Sequence, residues 1–252
     1  MSVAVLQEEG IARVVLRDPP LNILTRAVLA SLRAELAALS GEGSLRVLLL
    51  EAEGRHFSAG ASVTEHLAPE VEAMLPEFCD TVRMLHGFPL PVIAAVRGRC
   101  LGGAFELVQA ADIVIAGESA LFAQPEIQLG VMPPAACVLL PELTGAQLAA
   151  ELIYSGEPIT ALEAAAFGLV RRIVPDEAVG DEAFALALRI RRHSAVALRA
   201  SKRALRGATA ARVAAGLSRT SEIYLHELMR SRDATEGLQA FLEKRRPEWS
   251  HS

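Results

Sequence analysis

Three apolar runs constrain this chain most: Val-Leu-Leu-Leu at residues 47–50, Pro-Val-Ile-Ala-Ala-Val at 91–96 and Ile-Val-Ile-Ala at 113–116. None alternates apolar with polar residues, so each reads as a strand covered on both faces. Helical patterns separate them. Thr25 precedes Val28, Leu29, Leu32, Leu36 and Leu39, which recur at the helical period and make Thr25 a helix cap. The same spacing predicts helices over about residues 70–85 and 102–111. Such strands alternating with helices demand crossover connections, hence α/β architecture with a largely parallel sheet. Two further runs, 3–6 and 11–16, flank Glu8-Glu9-Gly10 and predict an opening hairpin.

From about Pro134 onward the pattern is helical and rich in Ala, Leu and Arg. Thr160 with Glu163 fits a capping box, and Gly168 fits a helix stop. Leu148, Leu152, Ile153, Leu217, Ile223, Tyr224 and Leu228 fall on apolar stripes of this region. They predict an apolar patch too large for a lone subunit, hence a homo-oligomer.

Composition narrows the function. The 252 residues are 52% apolar and 22% charged, enough to bury a sizeable core. Lys plus Arg number 25 against 30 Asp plus Glu, a net charge of −5, and aromatics are only 4%. Nucleic acid is therefore not the expected partner. A basic run from Arg189 through Lys202, Arg203 and Arg206 reads as a solvated helical face or a wall near ligand phosphates. Cys79, Cys100 and Cys137 form neither a CxxC pair nor a Cys/His cluster, so no disulfide framework or metal site is expected. No apolar stretch approaches the roughly 20 residues that span a bilayer, and the first residues lack a signal-peptide pattern. A cytoplasmic, membrane-free protein is expected.

The chain has no GxGxxG after a strand, no GxxxxGK[ST], no HExxH and no GxSxG. Ser58 lacks the glycine two residues earlier that a nucleophile elbow needs. What remains is two small-residue loops, Phe57-Ser-Ala-Gly-Ala61 and Leu101-Gly-Gly-Ala-Phe-Glu106, each following a buried strand. In the second, the glycines open a helix, so the Gly103 amide lies at the positive end of its dipole. Amides from both loops converging on one oxygen would make an oxyanion hole; ordinary tight turns fit the spacing equally well. Glu106 and Glu126 could act as an acid/base pair around one water. Equally, Glu106 could serve only the helix dipole, with Glu126 on a loop surface.

Phe57-Ser-Ala-Gly-Ala-Ser62, Ala94-Ala-Val-Arg-Gly-Arg-Cys-Leu-Gly-Gly-Ala-Phe-Glu-Leu107, Ala111-Asp112 and Phe122-Ala-Gln-Pro-Glu-Ile-Gln-Leu-Gly130 resemble the signature segments of the crotonase (enoyl-CoA hydratase/isomerase) superfamily. The likeness runs to Glu236-Gly-Leu-Gln-Ala-Phe-Leu-Glu-Lys-Arg245. It implies a crotonase-like spiral of ββα units with the acyl-CoA site over residues 1–195. A C-terminal helical trimerisation region over 196–252 follows, in trimers or dimers of trimers. The resemblance further implies that Ala61 and Gly103 supply the oxyanion amides, and Glu106 and Glu126 the catalytic carboxyls. It implies that Ala59, Gly60, Ser62 and Val63 contact coenzyme A, with Phe241 beside the adenine and Lys244 on a phosphate, often in a neighbouring subunit. His66 falls where the family lines its acyl pocket.

Both glutamates are retained, which implies a hydro-lyase adding water to an unsaturated acyl-CoA. An enoyl- or dienoyl-CoA isomerase is the alternative, and a non-catalytic acyl-CoA-binding subunit the alternative of another class. No cofactor is implied beyond the coenzyme A of the substrate. Departures carry further information. Ser62 replaces an aspartate, Ala104 a glycine, and Met132-Pro-Pro-Ala-Ala-Cys137 a glycine-rich run. The combination of Pro19-Pro-Leu-Asn-Ile-Leu24, Ser62-Val-Thr-Glu-His66 and Val131-Met-Pro-Pro134 looks like the family's cyclohexa-1,5-diene-1-carbonyl-CoA hydratases.

Overall fold

A computed structural model describes residues 2–252. Strands β1 (Val3–Glu8) and β2 (Ile11–Leu16) form an antiparallel hairpin. Its two-residue turn has positive φ at both Glu9 (50°) and Gly10 (81°), which matches the twist of the strands. The chain then continues through α1 (Arg26–Ser40), β3 (Val47–Ala52), α2 (Val71–His86) and β4 (Val92–Val96). β5 (Arg99–Leu101), α3 (Gly103–Gln109), β6 (Ile113–Gly117) and β7 (Leu121–Ala123) follow. After them come α4 (Ala136–Thr144), α5 (Ala146–Ser155), β8 (Ile159–Thr160), α6 (Ala161–Ala166) and β9 (Arg172–Val174). Three helices end the chain: α7 (Val179–Ile190), α8 (Ala195–His226) and α9 (Arg232–Leu242). The Thr25 hydroxyl accepts from Val28 N, and the Thr160–Glu163 capping box is reciprocal, as the sequence predicts.

Six strands lie in the order β1-β2-β3-β4-β6-β9, parallel throughout except at the hairpin. The uninterrupted apolar runs have a direct cause. Val47, Leu49, Ile93 and Ile115 meet Val179, Ala183 and Ala187 of α7 on one face. Leu48, Leu50, Val92, Ala94 and Val96 join the main core with α1 and α2 on the other. A second sheet, β5-β7-β8, interrupts what the sequence presents as a strand-to-helix turn and a helical C-terminal part. β5 leads directly into Gly102 and α3, so this small sheet positions the second glycine loop.

The predicted exposed stripe is corrected. Leu152, Ile153, Leu217 and Tyr224 are buried within the chain, while Leu148 and Leu228 pack against its core partly buried. Ile223 too is only partly accessible. The reason is that α8 folds back along α2 and α4 of its own chain, while α5 packs on α4 and on the turn Pro125–Leu129. Exposed apolar side chains lie elsewhere, at Tyr154, Leu162, Val196 and Leu205, each about three-quarters exposed. Part of the basic run is neutralised locally. Lys202 and Arg206 both pair with Asp112, and Arg191 pairs with Glu9. Among the described residues, no helix is long and apolar enough to cross a membrane.

Candidate active site

The first glycine loop is held by side chains whose role the sequence reading missed. Asn22, buried in the left-handed region (φ 47°), donates from Nδ2 to the carbonyls of Glu53, His56 and Phe57, over 2.8 to 3.1 Å. Its Oδ1 accepts from Asp18 N. Ser58, no nucleophile, donates to the Asn22 carbonyl (2.7 Å) and accepts from Gly60 N (3.1 Å). Beyond it, Leu24 N donates to Gly60 O and Ser62 N donates to Leu24 O, a single parallel bridge around Ala61. Strand alternation then turns the Ala61 N–H away from Leu24. It donates to no backbone carbonyl among the described residues.

The second loop reaches the same place. Gly102 N donates to Ala123 O, and φ 53°, ψ −129° at Gly102 swings the chain into α3. Only glycine adopts that conformation readily. Gly103 is the first residue of α3, so its N–H has no intrahelical acceptor and finds none elsewhere among the described residues. The two loops touch: a Cβ placed on Gly103 would lie 3.4 Å from Ala61 Cβ, and one on Gly60 3.8 Å from Gly103 N. Two unengaged amides thus border one cavity of about 460 Å³, which both loops line.

Glu106 and Glu126 line that cavity together, on separate elements. Neither of the bland alternatives describes them. Glu106 is buried in α3, and its Oε1 accepts from Ala135 N (2.6 Å) and Ala136 N (2.9 Å), at the start of α4. Pro133 and Pro134 offer no N–H, so these are the first free amides after Met132, and the proline pair aims them. Glu126 is buried on a 3₁₀ turn, Pro125–Leu129, closed by Gly130 in the left-handed region (φ 68°). Its Oε1 presses on Gly102, and its Oε2 has no partner among the described residues.

Burial pushes the Glu106 carboxyl up to about 7, against the pull of the Ala136 and Ala135 amides. Burial, and then the charge of Glu106, push Glu126 well above the carboxylate range. The two therefore titrate as a pair that keeps a proton at neutral pH. Glu106, with two backbone donors, is the member better able to hold the charge.

Around them, Met74, Phe78, Leu101, Val131, Met132 and Pro134 give the cavity an apolar wall. His66 also lines it. Its Nδ1 donates to Ser62 O (2.8 Å), and burial lowers its pKa, so a neutral ring faces the cavity. Ala59, Gly60 and Val63 line the wall as well, with Phe241, Arg99 and Arg245 toward its outer part. Ser62 does not; its hydroxyl pairs with Thr64 and it precedes the turn Val63–His66. Lys244 is exposed, at φ 55°, and lies outside the cavity of its own chain.

The family model described as enoyl-CoA hydratase/isomerase matches residues 6–252. The chain is 40% identical to the cyclohexa-1,5-dienecarbonyl-CoA hydratase of Thauera aromatica, covering 98% of this chain and 95% of that protein. It is 37% identical to the 2,3-dehydroadipyl-CoA hydratase of Escherichia coli (strain K12), covering 90% of each. Among solved structures, an enoyl-CoA hydratase of Mycobacterium avium subsp. paratuberculosis K-10 superposes with a TM-score of 0.90 at 27% identity, covering 99% of both chains.

Proposed function

The chain belongs to the enoyl-CoA hydratase/isomerase family, and from that premise we propose that Glu106 and Glu126 add water to a cyclic dienoyl-CoA thioester. The enzyme is a hydro-lyase acting on an unsaturated acyl-CoA. One observation carries the assignment of roles: two buried carboxyls line the same cavity that two unengaged backbone amides border.

The thioester oxygen accepts from the N–H groups of Ala61 and Gly103, which stabilise the enolate as charge develops. Glu106, whose charge the Ala135 and Ala136 amides receive, takes a proton from water whose oxygen bonds to the β-carbon. Glu126, the better-protonated carboxyl, gives its proton to the α-carbon. Acid, base and oxyanion donors are all protein groups, so the step draws on no cofactor beyond the coenzyme A of the substrate. A ring substrate is supported by the likeness to the Thauera aromatica hydratase. It is supported too by the stiff, apolar wall of Val131, Met132 and Pro134.

Ala59, Gly60 and Val63 border the coenzyme A path, Phe241 covers the adenine, and His66 touches the acyl ring. Lys244 meets a phosphate of coenzyme A bound to a neighbouring subunit, consistent with its exposure. A threefold assembly uses the exposed Tyr154, Leu162, Val196 and Leu205. Three unpaired cysteines suit a cytoplasmic setting. The test is incubation with a cyclic dienoyl-CoA and with crotonyl-CoA in water enriched in heavy oxygen. Heavy-oxygen uptake is expected in the ring thioester, and faster turnover than with crotonyl-CoA. Preference for crotonyl-CoA would overturn the ring assignment, and double-bond migration without oxygen uptake would overturn the hydratase.

A further inference from the structure

The turn that carries Glu126 is not held by its own buried polar side chains. The amide of Gln124, two residues earlier, is fully buried and has no partner among the described residues, and neither has Glu126 Oε2. Gln128 Nε2 donates to Gly156 O (3.2 Å), which ties the turn toward the end of α5. Within the turn, Gly130 N donates to Ile127 O (3.1 Å) and Val131 N to Glu126 O (3.2 Å). A short 3₁₀ turn has poor hydrogen-bond geometry, so the place of Glu126 depends on what packs behind it. Packed there are α9 and the indole of Trp249, the only tryptophan in the chain. A Cβ on Gly130 would stand 2.6 Å from Asp233 O and 3.0 Å from Trp249 Cζ3. One on Gly237 of α9 would overlap the Leu129 carbonyl and stand 2.9 Å from Trp249 Cη2. Glycine at both positions lets helix, turn and indole edge close on one another.

The indole is itself clamped on both flanks by carboxylates of α9. Glu248 N donates to Glu236 Oε1 (2.8 Å). Ser250 N and Oγ donate to Asp233 Oδ1 (2.7 and 2.8 Å), and His251 N donates to Asp233 Oδ2 (2.9 Å). Trp249 lines a second cavity with Ile127, Gly130, Val131 and Met132. Val131 and Met132 also wall the cavity of the two carboxyls, which Trp249 does not line, so the indole supports that wall from behind. We propose that Trp249 is a positioning residue for the hydration: clamped by Asp233 and Glu236, its six-membered ring wedges Gly130 and sets where Glu126 stands. This inference rests on the hydratase reading.

The experiment is a double-mutant cycle with the ring dienoyl-CoA in heavy-oxygen water, using Trp249→Ala, Glu126→Gln and both together. Loosening the turn misplaces Glu126, so Trp249→Ala should lower kcat about 10- to 100-fold with KM held within about threefold. In the Glu126→Gln background, where residue 126 delivers no proton, Trp249→Ala should cost nothing further. Equal losses in both backgrounds, as general destabilisation would give, or wild-type kcat in Trp249→Ala, would overturn the role of Trp249 while leaving the hydratase intact. Asp233→Ala is the second variant, because it keeps the indole and removes its clamp. The emission of the single tryptophan should shift to the red, and kcat should fall as in Trp249→Ala. A red shift with wild-type kcat would overturn the positioning role, and unshifted emission would overturn the clamp. Failure of the wild-type protein to take up heavy oxygen would remove the hydratase reading and this inference with it.

Discussion

Replacing Gly102 by alanine separates backbone strain from displacement of Glu126. Gly102 has φ 53° and ψ −129°, and an added Cβ would stand 2.6 Å from Glu126 Oε1 and 3.4 Å from its carboxyl carbon. The strain alone costs about 1–3 kcal/mol. Ordinary contact begins at 3.4 Å, so the carboxyl must also retreat by about 0.8 Å. Misplacing a reacting group by that much costs about 100-fold in rate. Gly145 is the control, because its φ is 85° but nothing lies within 4 Å of an added Cβ. In urea denaturation both variants should lose about 1–3 kcal/mol. In steady-state assays Gly102→Ala should lose about 100-fold in kcat with little change in KM, whereas Gly145→Ala keeps wild-type kcat. If Gly102→Ala keeps more than about a third of kcat, Glu126 does not act from the position described.

The remaining expectations follow from the same features. Since Glu106 must be ionised to take a proton and sits at about 7, kcat/KM should rise with pH through neutrality; a rise completed near pH 5 would contradict the shared proton. Lys244→Glu should raise KM for acyl-CoA with little change in kcat, the mark of lost uniform binding; a collapse of kcat at unchanged KM would remove Lys244 from the coenzyme A site. Asp112 is the counter-ion of buried Lys202 and accepts from Val92 N. Asp112→Asn should therefore cost about 3 kcal/mol in urea denaturation, by leaving the Lys202 charge buried and unpaired beside Arg206; a loss below about 1 kcal/mol would show that the Lys202 charge does not depend on Asp112.

Much of this was legible because the deciding forces are local. Thr25, the Glu9-Gly10 turn and the Thr160–Glu163 box declare themselves within four residues. The runs at 47–50 and 92–96 announce burial on two faces, and the sheet supplies both. What stayed hidden depends on distant partners. Three-residue strands such as β5 and β7 carry no periodicity. The amides on Glu106 come from 29 and 30 residues downstream, so its environment was invisible beside its own helix. The α8 stripe showed that an apolar face must be covered but not by what; the cover is α2 and α4 of the same chain. Asn22 left a faint signal, an asparagine in a proline-led loop, but its three carbonyl partners lie more than 30 residues on.

The central claim is that two carboxyls act on one water as a unit. It is tested most directly by kinetics of Glu106→Gln, Glu126→Gln and the double variant with the ring dienoyl-CoA in heavy-oxygen water. Each single substitution should lower hydration by about 10²- to 10⁴-fold while acyl-CoA still binds, because the Ala61 and Gly103 amides are untouched. The double variant should fall well short of the product of the two losses. Near-full heavy-oxygen uptake by Glu126→Gln would contradict the account.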